Sequence, residues 1–391
     1  MADSATDTSL SADDASPLAL ARALIATPSV NPSLEPGGAG EAEAAELVSG
    51  WLRSWGFQVQ RVEAAPGRPS VVARLDRGPG RSLILSGHLD TVGTEGMTVA
   101  PFDPVVRDGR VWGRGSADMK GGVAAALAAA RELAADPFRG TLIVALTADE
   151  EEAAIGCRRL VDDGLRADAA IVCEPTELAI TPAHKGFSWI RIDFRGQSAH
   201  GSRPERGVDA IRHAGLFLSR LDELESTIAQ RKRHPLLGSG SIHAGTIRGG
   251  TAASVYPSSC ELTLERRTLP GETPSAVRSE VEFLLAQLRS DVPSLNASLE
   301  VTLHRPGTEV PPDHEIVQRL SRALRDAGIE PRVTGMTAWV EASIFNAAGT
   351  PAVCFGPGSI GEAHTAAESA PVDEIDAAHQ VLLATAREFL S

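Results

Sequence analysis

Short, continuously apolar segments that lead into a histidine or an acid are the feature that most constrains this chain. Three of them stand in its first half: SLILSG (82–87), TLIVALTA (141–148) and AAIVC (169–173). Helical patterns lie around them, as in GGVAAALAAARELAA (121–135). Apolar strands that alternate with helices are typical of a parallel sheet covered on both faces. We therefore predict an α/β domain with a doubly wound, mostly parallel sheet.

The pattern changes in the middle of the chain, where strands begin to alternate apolar and polar residues, as in FSWIRIDFRG (187–196). The segments that follow have the order helix, strand, strand, helix and strand. Together they give the β-α-β-β-α-β order of a ferredoxin-like unit. We predict that this unit is an inserted domain over residues 184–305. Residues 16–183 and 306–391 then form the α/β domain, and residues 1–15 a disordered acidic tail.

Length and composition narrow the possible classes of protein. The chain has 391 residues, enough for two domains. Asp and Glu number 51 against 37 Lys and Arg, a balance that argues against nucleic-acid binding. No segment approaches the ~18 apolar residues of a membrane span, and the first residues lack the pattern of a signal peptide. The four cysteines are dispersed, so we expect buried reduced thiols and a cytoplasmic protein.

Histidines and acids follow the predicted strands at the same end. They are His88, Asp90, the run from Asp149 to Glu152, Glu174 and His364, and Asp118 joins them at the start of a helix. The carboxyl ends of the strands form one edge of an open α/β sheet, where sites assemble. Imidazole and carboxylate ligands suit zinc, cobalt or manganese. A shared carboxylate can hold two such ions roughly 3.5–4 Å apart, so the sequence predicts a centre for two divalent metal ions.

Spacing along the chain indicates roles for two pairs of these residues. His88 and Asp90 lie two apart on an extended segment, so both can face the same side. Asp90 can then accept a hydrogen bond from the imidazole and fix its tautomer. Glu150 and Glu151 are adjacent and point in different directions. One can bind metal while the other acts as a general base, and spacing alone does not decide which.

Eight motifs together resemble one known family. They are SGHLDTV (86–92), GRGSADMKGG (113–122), TADEEEAAIG (147–156), CEPT (173–176), HKG (184–186), GQSAHGSRPERGVDAI (196–211), RTLPGE (267–272) and GPGSIGEAHTAAE (356–368). From about Leu18 to its C-terminus the chain resembles the acetylornithine deacetylase, succinyl-diaminopimelate desuccinylase, aminoacylase and carboxypeptidase G family of zinc-dependent amidohydrolases and peptidases. The resemblance implies a zinc-exopeptidase-like catalytic domain and an inserted dimerisation domain.

The resemblance also implies the ligands of two zinc ions. His88 and Glu174 would hold one ion, Glu151 and His364 would hold the other, and Asp118 would bridge them. A cis peptide bond after Asp118 is common in the family.

The run of four acids gains roles from the same resemblance. The family has a glycine five residues after the metal-binding glutamate, and Gly156 therefore selects Glu151. Glu150 would then be the general base, Glu152 a solvated neighbour, and Asp90 the residue that orients the first histidine ligand.

Further residues resemble the family's substrate-binding groups. His200 matches a histidine that reaches the oxyanion from the partner subunit, and Arg267 matches an arginine that binds the substrate carboxylate. The neighbouring Arg266 is expected to be an ordinary surface residue. The backbone at Gly356 is expected to approach the substrate.

Two segments depart from the family pattern. Ser254 stands where the family usually has Asn, and GMTAWVEA (335–342) lacks the usual Thr-Asp-Ala or Ser-Asp-Gly. We expect both segments, including Trp339 as a pocket residue, to lie near the substrate and away from the metal ions. They bear on the choice of substrate more than on the reaction.

The resemblance implies hydrolysis of the amide bond of a small N-acyl amino acid by a water that Glu150 activates. A dipeptidase or glutamate carboxypeptidase is an alternative, because fold and metal ligands are shared. A metal-binding protein without catalytic activity is a more remote one. The resemblance further implies a homodimer formed through the inserted domain, with a small-molecule substrate as the other partner.

Overall fold

The computed structural model describes residues 15–231 and 233–391, which fold into two compact units. Of the described residues, the first unit contains 15–182, Val310–Thr334 and Val340–Ser391. The second contains Ala183–Glu309 and Gly335–Trp339. The tail predicted over residues 1–15 lies, apart from Ala15, outside the described residues.

The helices and strands are numbered in chain order. The helices are α1 (Pro17–Ala26), α2 (Ala42–Ser54), α3 (Gly121–Ala135), α4 (Ile155–Asp162), α5 (Ala210–Gln230), α6 (Pro274–Asp291), α7 (Glu315–Asp326), α8 (Ala342–Ala347) and α9 (Val372–Phe389). The strands are β1 (Gln58–Ala65), β2 (Arg68–Asp76), β3 (Ser82–His88), β4 (Val105–Arg107), β5 (Arg110–Trp112), β6 (Thr141–Thr147), β7 (Ala169–Val172), β8 (Ile180–His184), β9 (Gly186–Arg195), β10 (Ser241–Gly249), β11 (Ser259–Thr268), β12 (Asn296–Arg305), β13 (Thr308–Glu309), β14 (Val333–Met336), β15 (Ala352–Cys354) and β16 (Ser369–Pro371).

The large sheet of the first unit has the strand order β1-β2-β6-β3-β7-β15-β8. The four central strands, β6, β3, β7 and β15, are parallel to one another, whereas β1, β2 and β8 pair in the antiparallel direction. The central strands are almost entirely buried, as their unbroken apolar sequences require. Helix α3 packs against β3 and β6, and α8 packs against β7 and β15. The prediction of an α/β fold with a mostly parallel core sheet is confirmed.

The second unit contains β9-α5-β10-β11-α6-β12, in the order predicted for a ferredoxin-like domain. Its antiparallel sheet has the order β10-β11-β9-β12. Strand β9 alternates buried Ile190, Ile192 and Phe194 with outward residues, and the buried residues pack with Phe217 of α5. Thr273 caps α6, because its Oγ1 accepts a hydrogen bond from the backbone N–H of Ala276 at 3.2 Å.

In the part of the chain that the structure describes, no helix is long and apolar enough to cross a membrane. The four cysteines are all buried and unpaired.

Candidate metal centre and active site

The predicted metal-binding and catalytic residues lie at the carboxyl ends of the central strands, along one edge of the sheet. His88 is the last residue of β3, and Thr147, the last residue of β6, is its register partner. Glu150 and Glu151 follow β6, and Glu174 follows β7, which pairs with β3 on the other side. The parallel register therefore brings these strand ends side by side.

Asp118 lies between the two histidines of the predicted centre. Its Oδ1 is 3.1 Å from Nε2 of His88, and its Oδ2 is 3.3 Å from Nε2 of His364. The same nitrogen of His364 is 3.0 Å from Oε2 of Glu151. Single ligand atoms of His88, Asp118 and Glu151 all lie within 4.8 Å of one another. The peptide bond between Asp118 and Met119 is cis.

Glu174 is a buried acid whose Oε1 has no hydrogen-bond partner within the described residues. Burial, followed by the charge of Asp118, raises the pKa of Glu174 to about 8. An unpaired carboxylate oxygen in a buried position costs free energy unless a cation or a donor meets it. Such an atom is expected where a metal ion binds.

The pKa values of His364 and Asp118 show that this anionic cluster stabilises positive charge. Hydrogen bonds to Asp118 and Glu151 raise the pKa of His364 to about 10. Burial acts to raise the pKa of Asp118, but hydrogen bonds from His364 and His88 outweigh it and hold that pKa well below its ordinary value. The histidines thus act as the counter-charges of this anionic cluster, a role that divalent cations fill more completely.

Asp90 accepts from the His88 ring through its backbone carbonyl oxygen rather than through its carboxylate. Nδ1 of His88 is 2.9 Å from the backbone carbonyl oxygen of Asp90 and 3.8 Å from its carboxylate Oδ1. A carbonyl oxygen only accepts, so Nδ1 carries a proton and Nε2 is the nitrogen available as a ligand. The carboxylate is occupied instead by the backbone N–H groups of Glu150 and Glu151, at 3.1 and 3.2 Å.

The three glutamates after Asp149 occupy different environments. Burial raises the pKa of Glu150 well above its ordinary value; the charge of His88 opposes this shift, and the nearby acids add to it. A raised pKa suits a group that must accept a proton near neutral pH. Glu151 faces Asp118 and His364, whereas Glu152 is exposed.

Glu341 is a buried acid that sequence reasoning assigned to the substrate side. The structure places it at the strand ends instead: its Oε2 accepts a hydrogen bond from Thr147 Oγ1 at 2.7 Å, and its Oε1 has no hydrogen-bond partner within residues 15–231 and 233–391. Burial raises its pKa to about 8, and its charge in turn raises the pKa values of Glu150 and Glu174. The expectation that the segment 335–342 lies away from the predicted metal ligands is wrong for this residue.

Glu368 is a second buried acid whose part in the site was missed. Its Oε1 accepts from the backbone N–H groups of Ala117 and Asp118 at 3.0 and 3.1 Å. Its Oε2 accepts from the guanidinium of Arg114 at 2.6 Å and from the N–H of Gly115 at 3.1 Å. One carboxylate therefore holds the turn that presents Asp118. Its place at the end of the motif GPGSIGEAHTAAE was the available signal.

The backbone of Gly356 contacts its own chain. Its N–H donates to Thr176 Oγ1 at 3.1 Å, and its carbonyl accepts from the N–H of Leu178 at 3.1 Å. A Cβ at this position would lie 2.6 Å from the carbonyl oxygens of Cys173 and Glu174. Glycine is needed here because the segment after β15 passes so close to Glu174.

His200 and Ser254 are brought together inside the second unit. The N–H of Gly201 donates to the carbonyl of Ser254 at 2.7 Å, and His200 forms a β-bridge with Val255. The His200 ring is exposed, and its Nδ1 is 2.8 Å from Ser202 Oγ. The segments that carry His200 and Ser254, both predicted to contact the substrate, therefore lie side by side in this unit.

Arg267 and Trp339 also belong to the second unit. Arg267 is half-buried in β11, where it pairs with Glu265 at 2.7 Å and stacks over the ring of Phe187. The indole of Trp339 lies 5.3 Å from the guanidinium of Arg305, and its Nε1 is a buried atom with no hydrogen-bond partner among the described residues.

Arg266, by contrast, is not the surface residue that the sequence suggested. It is fully buried and pairs with Glu272 at 2.8 Å and with Glu280 at 3.1 Å. The buried charge is stable here because two acids compensate it.

The donor set fits a pair of divalent cations. Two imidazole nitrogens, a carboxylate with one oxygen towards each histidine, and an unpaired buried carboxylate oxygen are ligands that zinc, cobalt and manganese accept. Glu150, a half-buried acid with a raised pKa, stands in the same cluster. Candidate metal ligands beside a carboxylate with a raised pKa, at the carboxyl edge of an α/β sheet, are the arrangement expected of a metal-dependent hydrolase.

Comparison with known proteins gives the family. The chain belongs to the peptidase family M20/M25/M40, whose model matches residues 84–388. It is 35% identical to the acetylornithine deacetylase of Myxococcus xanthus over 320 residues, which cover 80% of this chain and 81% of that one. It is 34% identical to the acetylornithine deacetylase of Klebsiella pneumoniae (strain 342) over 355 residues, 88% of this chain and 90% of that one. The protein is a hydrolase that acts on amides.

A solved structure shares the fold at lower identity. The YXEP protein of Bacillus subtilis, described as a dinuclear metal-binding peptidase from the M20 family, superposes with a TM-score of 0.74 at 17% identity. The match covers 96% of this chain and 97% of that one. The predicted resemblance to this family of metal-dependent hydrolases is confirmed.

Proposed function

We propose that this protein is a deacylase that hydrolyses the amide bond of a small N-acyl amino acid, of the acetylornithine or succinyl-diaminopimelate kind. The observation that carries the proposal is the cluster of His88, Asp118, Glu151 and His364 within hydrogen-bond distance, with the half-buried Glu150 beside it. Relatives of more than 30% identity that are named acetylornithine deacetylase support the substrate class.

The ligand set is proposed as two sites that share one bridge. His88 and Glu174 would hold one ion, Glu151 and His364 would hold the other, and Asp118 would contribute to both. When bound, two divalent ions, zinc in preference to cobalt or manganese, would polarise the amide carbonyl and lower the pKa of water to about 7.

The protein's own groups then move the proton. Glu150 accepts a proton from the water that attacks the carbonyl carbon, and it returns that proton to the nitrogen as the C–N bond breaks. The products are a carboxylic acid and a free amino acid. The backbone carbonyl of Asp90 keeps the His88 ring in one tautomer throughout.

Residues of the second unit are proposed to bind the substrate. His200 donates to the oxyanion that forms during attack, from the partner subunit of a homodimer. Arg267 is proposed to bind the substrate carboxylate, and Ser254, Trp339 and the backbone at Gly356 are proposed to contact the substrate.

The homodimer is proposed to form through the inserted domain. Strand β10 is an edge strand, and it is exposed from His243 to Gly249. Ile247 on this strand and Ile211 on α5 are 50% and 42% exposed. A long edge strand with exposed apolar side chains is a ready surface for pairing with another chain.

The proposed cytoplasmic location rests on the four unpaired buried cysteines, which are typical of a reducing compartment.

Substrate choice and metal dependence are tested together. Purified protein should hydrolyse N-acetylornithine or another N-acyl amino acid, lose this activity with a chelator, and regain it when zinc or cobalt is returned. A parallel assay of dipeptides and glutamyl peptides checks the reaction of a metallopeptidase. Metal-dependent cleavage of peptides alone would replace the deacylase with that activity. Protein that binds metal and cleaves neither class would contradict the proposal and favour a non-catalytic role.

A further inference from the structure

The Asp90 carboxylate, whose Oδ1 lies 3.8 Å from Nδ1 of His88 and so beyond hydrogen-bond distance, is the centre of a buried network. It accepts hydrogen bonds from the backbone N–H groups of Glu150 and Glu151 and, at 2.8 Å, from Nδ2 of Asn31. Asp90 and Asn31 are both fully buried. The amides of the proposed base and of its neighbouring ligand are therefore fixed by a carboxylate that is itself held by Asn31.

Asn31 joins two carboxylates through one amide nitrogen. Its Nδ2 donates to Asp90 Oδ2 at 2.8 Å and to Asp149 Oδ1 at 3.0 Å. Its Oδ1 accepts from the backbone N–H of Ser33 at 2.9 Å, and its own N–H donates to the carbonyl of Thr91 at 2.8 Å. Because the oxygen is engaged by an N–H, the NH₂ group must face the two acids.

The far side of the network is an ion pair. Arg68 donates to both oxygens of Glu41 at 2.6 Å and to Oδ1 of Asp149 at 3.0 Å. Glu41 also accepts from the backbone N–H of Asp149 at 3.1 Å. Asp149 has a φ of 67°, an uncommon backbone conformation for a residue other than glycine. The turn that carries Glu150 and Glu151 is thus held at its first residue as well.

The charges explain why an amide stands at position 31. Asp90, Asp149 and Glu41 are three acids in one buried network, in which Arg68 pairs with Asp149 and Glu41 and the His88 ring lies 3.8 Å from Asp90. A neutral group with two N–H donors can bind two of these acids without adding charge. An aspartate would add a fourth anion, and an apolar residue would take one donor away from each of two buried carboxylate oxygens, which costs free energy.

We propose that Asn31 is a positioning residue for the reaction. It acts through Asp90 and Asp149, which hold the backbone of Glu150 and Glu151 in the geometry that the chemistry needs. The catalytic part of this inference rests on the proposed function, whereas the structural part does not.

Asn346 provides a matched control in the first unit. Its Nδ2 donates to the carbonyl of Ala352 at 3.0 Å, and its Oδ1 accepts from the N–H of the same residue at 2.9 Å. It therefore also donates and accepts through its side-chain amide, here from helix α8 to the start of β15. Asn31→Leu and Asn346→Leu remove the same side-chain amide. Asn31 is linked to Glu150 through the Asp90 carboxylate, whereas the hydrogen bonds of Asn346 go to Ala352.

Hydrogen exchange, read by mass spectrometry on the full chain, compares peptides that cover residues 148–154 and 346–352. Asn31→Leu should speed exchange in the first peptide by about tenfold and leave the second unchanged, and Asn346→Leu should do the reverse. Equal acceleration of both peptides by each variant, or no change in residues 148–154 of Asn31→Leu, would overturn the proposal. Asn31→Ser, with a single O–H donor, should give a smaller effect of the same kind and serves if the leucine variant fails to fold.

Kinetics on the metal-loaded protein provide the second readout. Asn31→Leu should lower kcat by about 10- to 100-fold at equal metal content, with KM changed by less than about threefold. Asn346→Leu should keep kcat close to that of the natural protein. A loss confined to KM, or an equal loss in both variants, would contradict positioning. If the natural protein cleaves no amide, the proposed function fails, yet the exchange comparison still decides whether Asn31 holds this turn.

Discussion

Replacing Glu150 by Gln should abolish turnover while the protein keeps its metal ions. Glu150 is half-buried beside the ligand cluster, and its raised pKa suits a proton acceptor. Glutamine has the same size and cannot accept the proton, and removal of a general base typically costs 10²- to 10⁴-fold in rate. We expect kcat to fall by at least about a thousandfold, measured beside metal content by elemental analysis.

Glu152→Gln is the matched control for this prediction. Glu152 lies in the same acidic run and is exposed, so the same change of charge should leave kcat within about twofold. Comparison of the two variants tests the register of the run as well as the role of the base. Full activity in Glu150→Gln would show that Glu150 is not the general base. A large loss of activity in Glu152→Gln would show that the roles within the acidic run are assigned to the wrong glutamates.

The central strands and the site at their ends could be predicted because one physical cause sets both. Continuous apolar runs such as β3 and β6 are needed only where a strand is buried on both faces. Parallel strands end at the same edge, so His88 and Glu174 had to lie near each other. Strand β1 escaped prediction because it is largely exposed and its sequence QVQRVEAA has no apolar run.

Other features depend on partners that are distant in sequence. Arg266 looks like a surface residue until α6 brings Glu280 to it. Glu341 reaches the strand ends from an irregular segment, and no periodicity places its side chain beside Thr147. The carboxylate of Asp90 is taken by Asn31, which stands 59 positions earlier in the chain. Local pattern predicts which residues reach the edge of the sheet, whereas only the fold determines which atoms they use.

Glu174→Gln should lower the bound metal from about two ions per chain to about one. Glu174 is buried, and its Oε1 lacks a hydrogen-bond partner within residues 15–231 and 233–391, so we expect this oxygen to be a ligand. A glutamine oxygen is a much weaker ligand for a divalent transition metal than a carboxylate. The measurement is elemental analysis of protein purified without a chelator or added metal, followed by titration of the metal-free protein with zinc.

Glu341→Gln separates ligation from charge. Glu341 has the same properties as Glu174: it is buried, its Oε1 has no partner among the described residues, and its pKa is raised to about 8. Its other oxygen, however, is held by Thr147. Both variants remove one acid from the same anionic cluster, so a purely electrostatic effect on metal affinity would be similar in the two. Retention of both ions in Glu341→Gln and loss of one in Glu174→Gln would therefore identify Glu174 as a ligand; equal retention, or equal loss, would contradict the proposed ligand set.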